Sequence, residues 1–199
     1  MPKQFKFYEN QNDDNPRFTC KLKSQQCSAK KQDGSQCKNK VVLGLPKCYH
    51  HLAKDHNLRI ATSTIPNSGK GLYASKTVKI KEEVIRSAEH LLFKKGEKII
   101  EYVGDEINEQ ENARRYGTEK TAPYSLEVQN DKIIDGACKR GTASFINHKR
   151  SNQTNVRFSR GRDGKAYLVA DKNIYDGMEI FVNYGREYSL NDGSRHTTK

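Results

Sequence analysis

The sequence predicts a mostly β chain with short helices, an α+β fold, preceded by a small Cys/His module. Three observations predict it. Short runs of β-formers bounded by Gly, Pro, Asn and Asp recur between residues 58 and 182. Two of these runs end in ligand-capable polar groups: IIDGACKRGTASFINH at 133–148 closes on Asn147 and His148, and GMEIFVNYGREY at 177–188 passes through Asn183, Tyr184 and Gly185. Lastly, Cys27, Cys37, Cys48 and His51 fall in a polar segment with too few apolar residues for a core of its own.

The chain of 199 residues is long enough for one good core with a small appended unit. Its net charge of +12 and pI near 9.4 attract an acidic partner, and nucleic acid or a nucleosome fits. A solvated basic surface that serves solubility is the other reading, and charge alone does not separate the two. Five cysteines and a polar start without a signal peptide predict a reducing compartment, nuclear or cytoplasmic, without disulfides. Nothing approaches the ~18 apolar residues of a membrane span, so no membrane partner is expected.

Residues 1–19 lack periodicity and read as a flexible tail. The Cys/His module follows over 20–57, with the spacing Cys-x9-Cys-x10-Cys-x2-His. Zinc takes four such ligands in a tetrahedron and would supply the folding energy that the apolar content does not; free core thiols are the alternative. Cys20, His50 and His56 are spare ligands. Residues 1–60 carry 12 Lys+Arg against 5 Asp+Glu, which allows nucleic-acid contact.

LRIATSTIPNSGKGLYA at 58–74 reads as strand, turn, strand, with residues 68–71 as the turn. Over 79–93, Ile80, Val84, Ile85, Ala88, Leu91 and Leu92 recur at helical spacing and predict an amphipathic helix that packs on the core or meets a partner. KKGE at 94–97 is a turn, EKIIEYVGDEI at 97–107 a strand, NEQENARRYG at 108–117 a short polar helix, and APYSLEV at 122–128 a strand. Residues 189–199 form a polar tail.

SGKGLYA at 68–74, IIEYVGDEI at 99–107, the Asn-His pair and the Asn-Tyr-Gly run, in this order and with these gaps, resemble the SET-domain protein lysine methyltransferases over about residues 65–188. The resemblance is to the compact, virus-like type, and the Cys/His module is similar to short modules of giant-virus proteins. It implies a β-clip of small sheets with a threaded pseudoknot over 58–188. It implies S-adenosylmethionine as cofactor, bound by Gly69, Lys70, Gly71, Leu72, Asn147, His148 and Tyr184, with Tyr184 as the catalytic tyrosine and Tyr102 and Tyr124 walling the lysine channel. A tyrosine in a strand is otherwise simply packing, and GKG otherwise an ordinary hairpin turn.

Departures bear on the site. The family's NHS-C-x-P-N is here two residues longer before Asn155, and no Cys lies beyond 138 to build a zinc-binding cap after the domain. Tyr188 is expected to close the pocket instead. Val182, two residues before Tyr184, lacks the hydroxyl that restricts methylation elsewhere in the family, so di- or trimethylation is expected. The function implied is methylation of a protein lysine, most plausibly in a histone or nucleosome tail. The alternative is a non-catalytic SET and zinc module that binds nucleic acid or chromatin.

Overall fold

The computed structural model describes residues 4–6, 18–79, 83–117, 124–129 and 132–185. The N-terminal part contains two antiparallel pairs, β1 (Gln4–Lys6) with β2 (Thr19–Lys21) and β3 (Ser24–Gln26) with β4 (Lys40–Val42), followed by helix α1 (Tyr49–His56). Asn57 ends α1 in the left-handed region at φ 52° and returns its N–H to Ala53 O and Leu52 O. Only Leu52 and Ala53 of this helix are buried, so its apolar stripe is one turn wide.

β5 (Leu58–Thr62) and β6 (Lys70–Ala74) form the expected hairpin. Its turn spans 63–69 rather than 68–71, because Ser63 N reaches Gly69 O at 3.0 Å and Lys70 already pairs with Thr62.

The helix expected over 79–93 is not formed. Residues 83–93 hold one 3-10 turn (Ala88–His90) and the strand β7 (Leu91–Phe93), while 80–82 lie outside the described residues. Val84 and Ile85, which set the helical spacing, are exposed, and the Leu91-Leu92-Phe93 run goes instead to a strand that pairs with residues 174–175. Tertiary pairing overrides a weak local preference here.

The single strand expected at 97–107 breaks into β8 (Lys98–Glu101) and β9 (Asp105–Ile107). The two halves serve different sheets, and Gly104 makes the turn between them against Asp135, whose carbonyl oxygen would lie 2.4 Å from a Cβ at that position. Helix α2 (Glu109–Tyr116) forms where the polar helix was predicted. Asn108 caps it by accepting from Glu111 N at 2.8 Å, with acids in the first turn and Arg114 and Arg115 in the last.

β9 is the edge of a sheet ordered β10 (Ser125–Gln129), β11 (Lys132–Asp135), β9, all antiparallel. A 3-10 turn (Thr142–Phe145) leads into the two-residue strand β12 (Asn147–His148). β13 (Val156–Arg160) and β14 (Ala166–Ala170) add to β8, and β15 (Ile174–Tyr175) pairs with β7. β16 (Glu179–Val182) joins a four-stranded sheet ordered β12, β16, β6, β5. Leu58, Leu72, Leu168, Ile174, Ile180, Val156 and Val182 fill the core between the small sheets.

The cysteine expectation is corrected in one respect. Cys20 on β2 is disulfide-bonded to Cys138, with Cα atoms 5.3 Å apart across 118 residues of sequence. Spacing cannot reveal such a pair, because the fold alone brings β2 against the turn after β11. Cys27, Cys37 and Cys48 are free thiols.

Candidate active site and metal centre

β16 carries EIFV, four residues all buried, and is paired on both sides. On one side it runs parallel to β12, with Asn147 opposite Phe181 and His148 opposite Val182. On the other it runs antiparallel to β6, which begins in the Gly69-Lys70-Gly71 segment. Asn155 extends the seam. Its Nδ2 donates to Glu179 O at 2.9 Å and its Oδ1 accepts from Phe181 N at 2.9 Å, the same peptide edge that the Asn155 backbone N–H meets at 3.1 Å. A buried amide with both ends satisfied fixes the crossing. The sheet therefore brings the GxG loop, the Asn-His pair and the chain into Tyr184 to one edge.

Tyr184 and His148 interlock just past that edge. His148 Nδ1 accepts from Tyr184 N at 3.1 Å, and the rings tilt together with centroids 5.3 Å apart. The Tyr184 hydroxyl donates to Ile146 O at 2.5 Å. Its single proton is thereby committed, so the phenolic oxygen faces any further partner as an acceptor. Asn147 Nδ2 donates to Lys70 O at 3.1 Å and ties the Asn-His strand to the GxG strand.

The resemblance-derived residues do not all serve alike. Gly69, at φ 69° with open space around its Cα, presents bare backbone. Lys70 is exposed, and Leu72 is fully buried in the core between Ile60 and Ile180, so its side chain faces no ligand. Tyr102 and Tyr124 do meet: the Tyr102 hydroxyl donates to Tyr124 O at 2.8 Å. Burial, with the nearby Asp135 charge, drives the Tyr102 hydroxyl well above the ordinary phenol range, so it stays protonated. The Arg140 guanidinium lies 4.2 Å from the Tyr124 ring centroid, and its Nη2 donates to Ala137 O at 3.2 Å. Tyr188 lies outside the described residues.

Sequence reasoning missed Glu179 and Arg140. Glu179 had a signal: a carboxylate inside an apolar β run must find donors or be excluded from the core. Arg140 had none, since one Arg in a polar loop reads as a solvated cation.

The N-terminal cluster gathers the four residues named from spacing. One ligand atom from each of Cys27, Cys37, Cys48 and His51 lies within 4.8 Å of the others. His51 Nδ1 is 3.2 Å from Cys48 Sγ and 3.6 Å from Cys27 Sγ. Zinc–sulfur bonds of ~2.3 Å in a tetrahedron place ligand atoms roughly 3.5–4 Å apart, so the donor set and spacing fit that ion. Burial raises the Cys48 thiol, but Asn39 and His51 outweigh it and bring it down to about 6, close to the thiolate a metal requires. Around these sulfurs the small cluster adds only Ala29 and the half-buried Val41.

The description "SET domain" fits a family model over residues 69–185, and the chain belongs to that family. A mouse relative, "Histone-lysine N-methyltransferase, H3 lysine-36 specific", is 39% identical over 99 residues, which is 47% of this chain and 4% of the relative. The Drosophila melanogaster "Histone-lysine N-methyltransferase trr" is 25% identical over 143 residues, 70% of this chain and 5% of the relative. Among solved structures, "ctPRC2 in an autoinhibited conformation bound to S-adenosylmethionine" matches with a TM-score of 0.52 and 24% identity over 68% of this chain and 16% of that one. The chain thus spans a small fraction of the proteins it resembles, and the structural likeness establishes the fold.

Proposed function

We propose that the chain is an S-adenosylmethionine-dependent protein-lysine methyltransferase whose substrate is a basic histone tail. The observation that carries this reading is the junction of Tyr184, His148 and Asn147 with the GxG strand on the sheet β12, β16, β6, β5. Relatives named as histone-lysine methyltransferases support the substrate class.

When bound, S-adenosylmethionine supplies a methyl on a positively charged sulfur. Asn147, His148 and the bare backbone at Gly69 are the groups available to hold it. The substrate nitrogen must arrive neutral, although a free lysine has a pKa of ~10.4, and a channel walled by buried Tyr102 and by Tyr124 favours that form by desolvation. Tyr184, its proton spent on Ile146 O, accepts an N–H from the amine and sets its lone pair in line. The proton displaced from the product nitrogen leaves to solvent. Val182, two residues before Tyr184, carries no hydroxyl to hold a water where a further methyl would sit, which supports addition of more than one methyl group.

The test is incubation of the full chain with labelled S-adenosylmethionine and a panel of histones and nucleosomes, followed by mass spectrometry. Label on a lysine, progressing to di- or trimethyl-lysine, is the expected result. No label on any member would sink the histone reading, and monomethyl-lysine alone with cofactor in excess would sink the multiplicity.

A further inference from the structure

The GxG strand and Asn147 converge on one buried carboxylate. Glu179, 7% exposed in β16, accepts through Oε1 from Ser63 Oγ at 2.6 Å, and through Oε2 from Thr64 N at 2.7 Å and Thr64 Oγ1 at 2.5 Å. The Tyr73 hydroxyl lies 3.1 Å from Oε2, and its pKa is pushed up to about 12, by burial first and by the Glu179 charge second. Asn147 Nδ2 is 3.4 Å from Oε1. All of these donors are neutral.

Two consequences follow from this placement. A Cβ on Gly71 would stand 2.1 Å from Glu179 Oε1, so the packing of Glu179 by itself requires the second glycine of the GxG motif. The Asn147 amide has two acceptors, Lys70 O and Glu179 Oε1, on its nitrogen side. Its rotation is thereby set with Nδ2 toward the GxG strand, and Oδ1 meets no donor among the described residues.

We propose that Glu179 is a positioning residue for the cofactor pocket: its carboxylate fixes which face of the Asn147 amide a ligand meets and seats the 63–71 loop that supplies the ligand-facing backbone. The proposal rests on the methyltransferase reading. It goes beyond the motif residues because Glu179 reaches the ligand only through Asn147 and the loop.

Glu179→Gln replaces one acceptor oxygen with an N–H₂ that faces donors, so the amide of Asn147 keeps only Lys70 O to hold its orientation and the 63–71 loop loses a charged acceptor. The experiment is calorimetric titration of S-adenosylmethionine into the full chain as wild type, Asn147→Ala, Glu179→Gln and the double variant, with thermal midpoints alongside. Glu179→Gln is expected to weaken binding about tenfold, and the double variant to bind no more than about threefold weaker than Asn147→Ala alone, since the two act on one interaction. Asn147→Asp sets two carboxylates together and should bind more weakly still. Adding Glu179→Gln to it restores an acid-amide pair and should recover affinity, which a merely structural role would not do.

Equal binding by wild type and Glu179→Gln, or losses that multiply in the double variant, would overturn the proposal while leaving the enzyme reading in place. Wild type that takes up no S-adenosylmethionine would overturn both. If Glu179→Gln is too unstable to titrate, Ser63→Ala on the surface loop carries the test: affinity lowered about threefold supports the seating role, and unchanged affinity overturns it.

Discussion

Tyr184 shows how much a single hydroxyl can decide. The ring packs against His148 and the edge of the core, so Tyr184→Phe keeps its packing and loses only the bond to Ile146 O and the acceptor it leaves for the amine. Loss of one preoriented polar group in a reacting site costs on the order of 100-fold or more in turnover. The expected result is that fall in methyl transfer with S-adenosylmethionine affinity within twofold of wild type, from parallel rate and calorimetric measurements. Unchanged turnover would mean that another group orients the amine. Gly71→Ala makes the opposite kind of change, since it adds an atom where Glu179 Oε1 already sits. Overpacking of this sort costs about 1–3 kcal/mol, and the carboxylate must leave Ser63 and Thr64 to relieve it. A lowered thermal midpoint together with weakened cofactor binding is expected, and a variant that melts and binds like wild type would show that the loop yields without cost.

At the scale of elements, α2 is held by charge at its own surface and by one buried acid below. Asp135, fully buried, accepts from Arg115 Nη1 at 2.8 Å, Tyr116 Oη at 2.8 Å and Ala137 N at 2.9 Å, which joins the helix to β11. Above it, Glu111 accepts from Arg114 Nε at 2.6 Å and from Arg115 Nε at 2.8 Å. These two arginines, Arg114 first, hold the Glu111 pKa down to about 2. A depressed acid stabilises the fold above its ordinary pKa of ~4.3, and that stabilisation is lost as the pH falls toward 2. The melting-point advantage of wild type over Glu111→Gln is therefore expected to be full at pH 6 and to vanish near pH 2; a constant difference across that window would sever the link. The helix was legible in the sequence because Asn108, Glu111 and Gly117 are local signals that act where they stand. The segment 83–93 was not, because its strand exists only through pairing with Ile174 and Tyr175, a partner some eighty residues away. The same distinction runs through the site. Asn147, His148 and Tyr184 were legible as ordered motifs, whereas Glu179 and Arg140 take their meaning from loops that the fold alone brings to them.

In the whole molecule, the Cys/His module is clamped onto the turn that packs against Tyr124. Arg140 N donates to Leu43 O at 2.7 Å, and Gly44, at φ 101°, lies so close that a Cβ would stand 2.7 Å from the Arg140 backbone. Cys20 is bonded to Cys138 two residues earlier, and Phe18 packs edge-on against Tyr116 while Arg115 lies over its ring. Arg140 in turn stacks on Tyr124. The module and Tyr124 thus share one turn, while Asn147, His148 and the GxG strand, the proposed cofactor side, are built on the sheet β12, β16, β6, β5. The cysteine end of the module has little apolar company, since Leu45 and Leu52 pack into the main core instead, so a metal on Cys27, Cys37, Cys48 and His51 is expected to supply the folding energy there. Protein purified without added metal should carry one zinc per chain, and a chelator should expose the amides of residues 24–56 to hydrogen exchange before those of β6 and β16. Because Arg140 then loses Leu43, the KM for a lysine peptide should rise several-fold while S-adenosylmethionine affinity holds. Metal content near zero with a protected module would end the zinc assignment. Zinc loss that leaves the peptide KM unchanged would show that the clamp on residues 138–141 does not reach the channel.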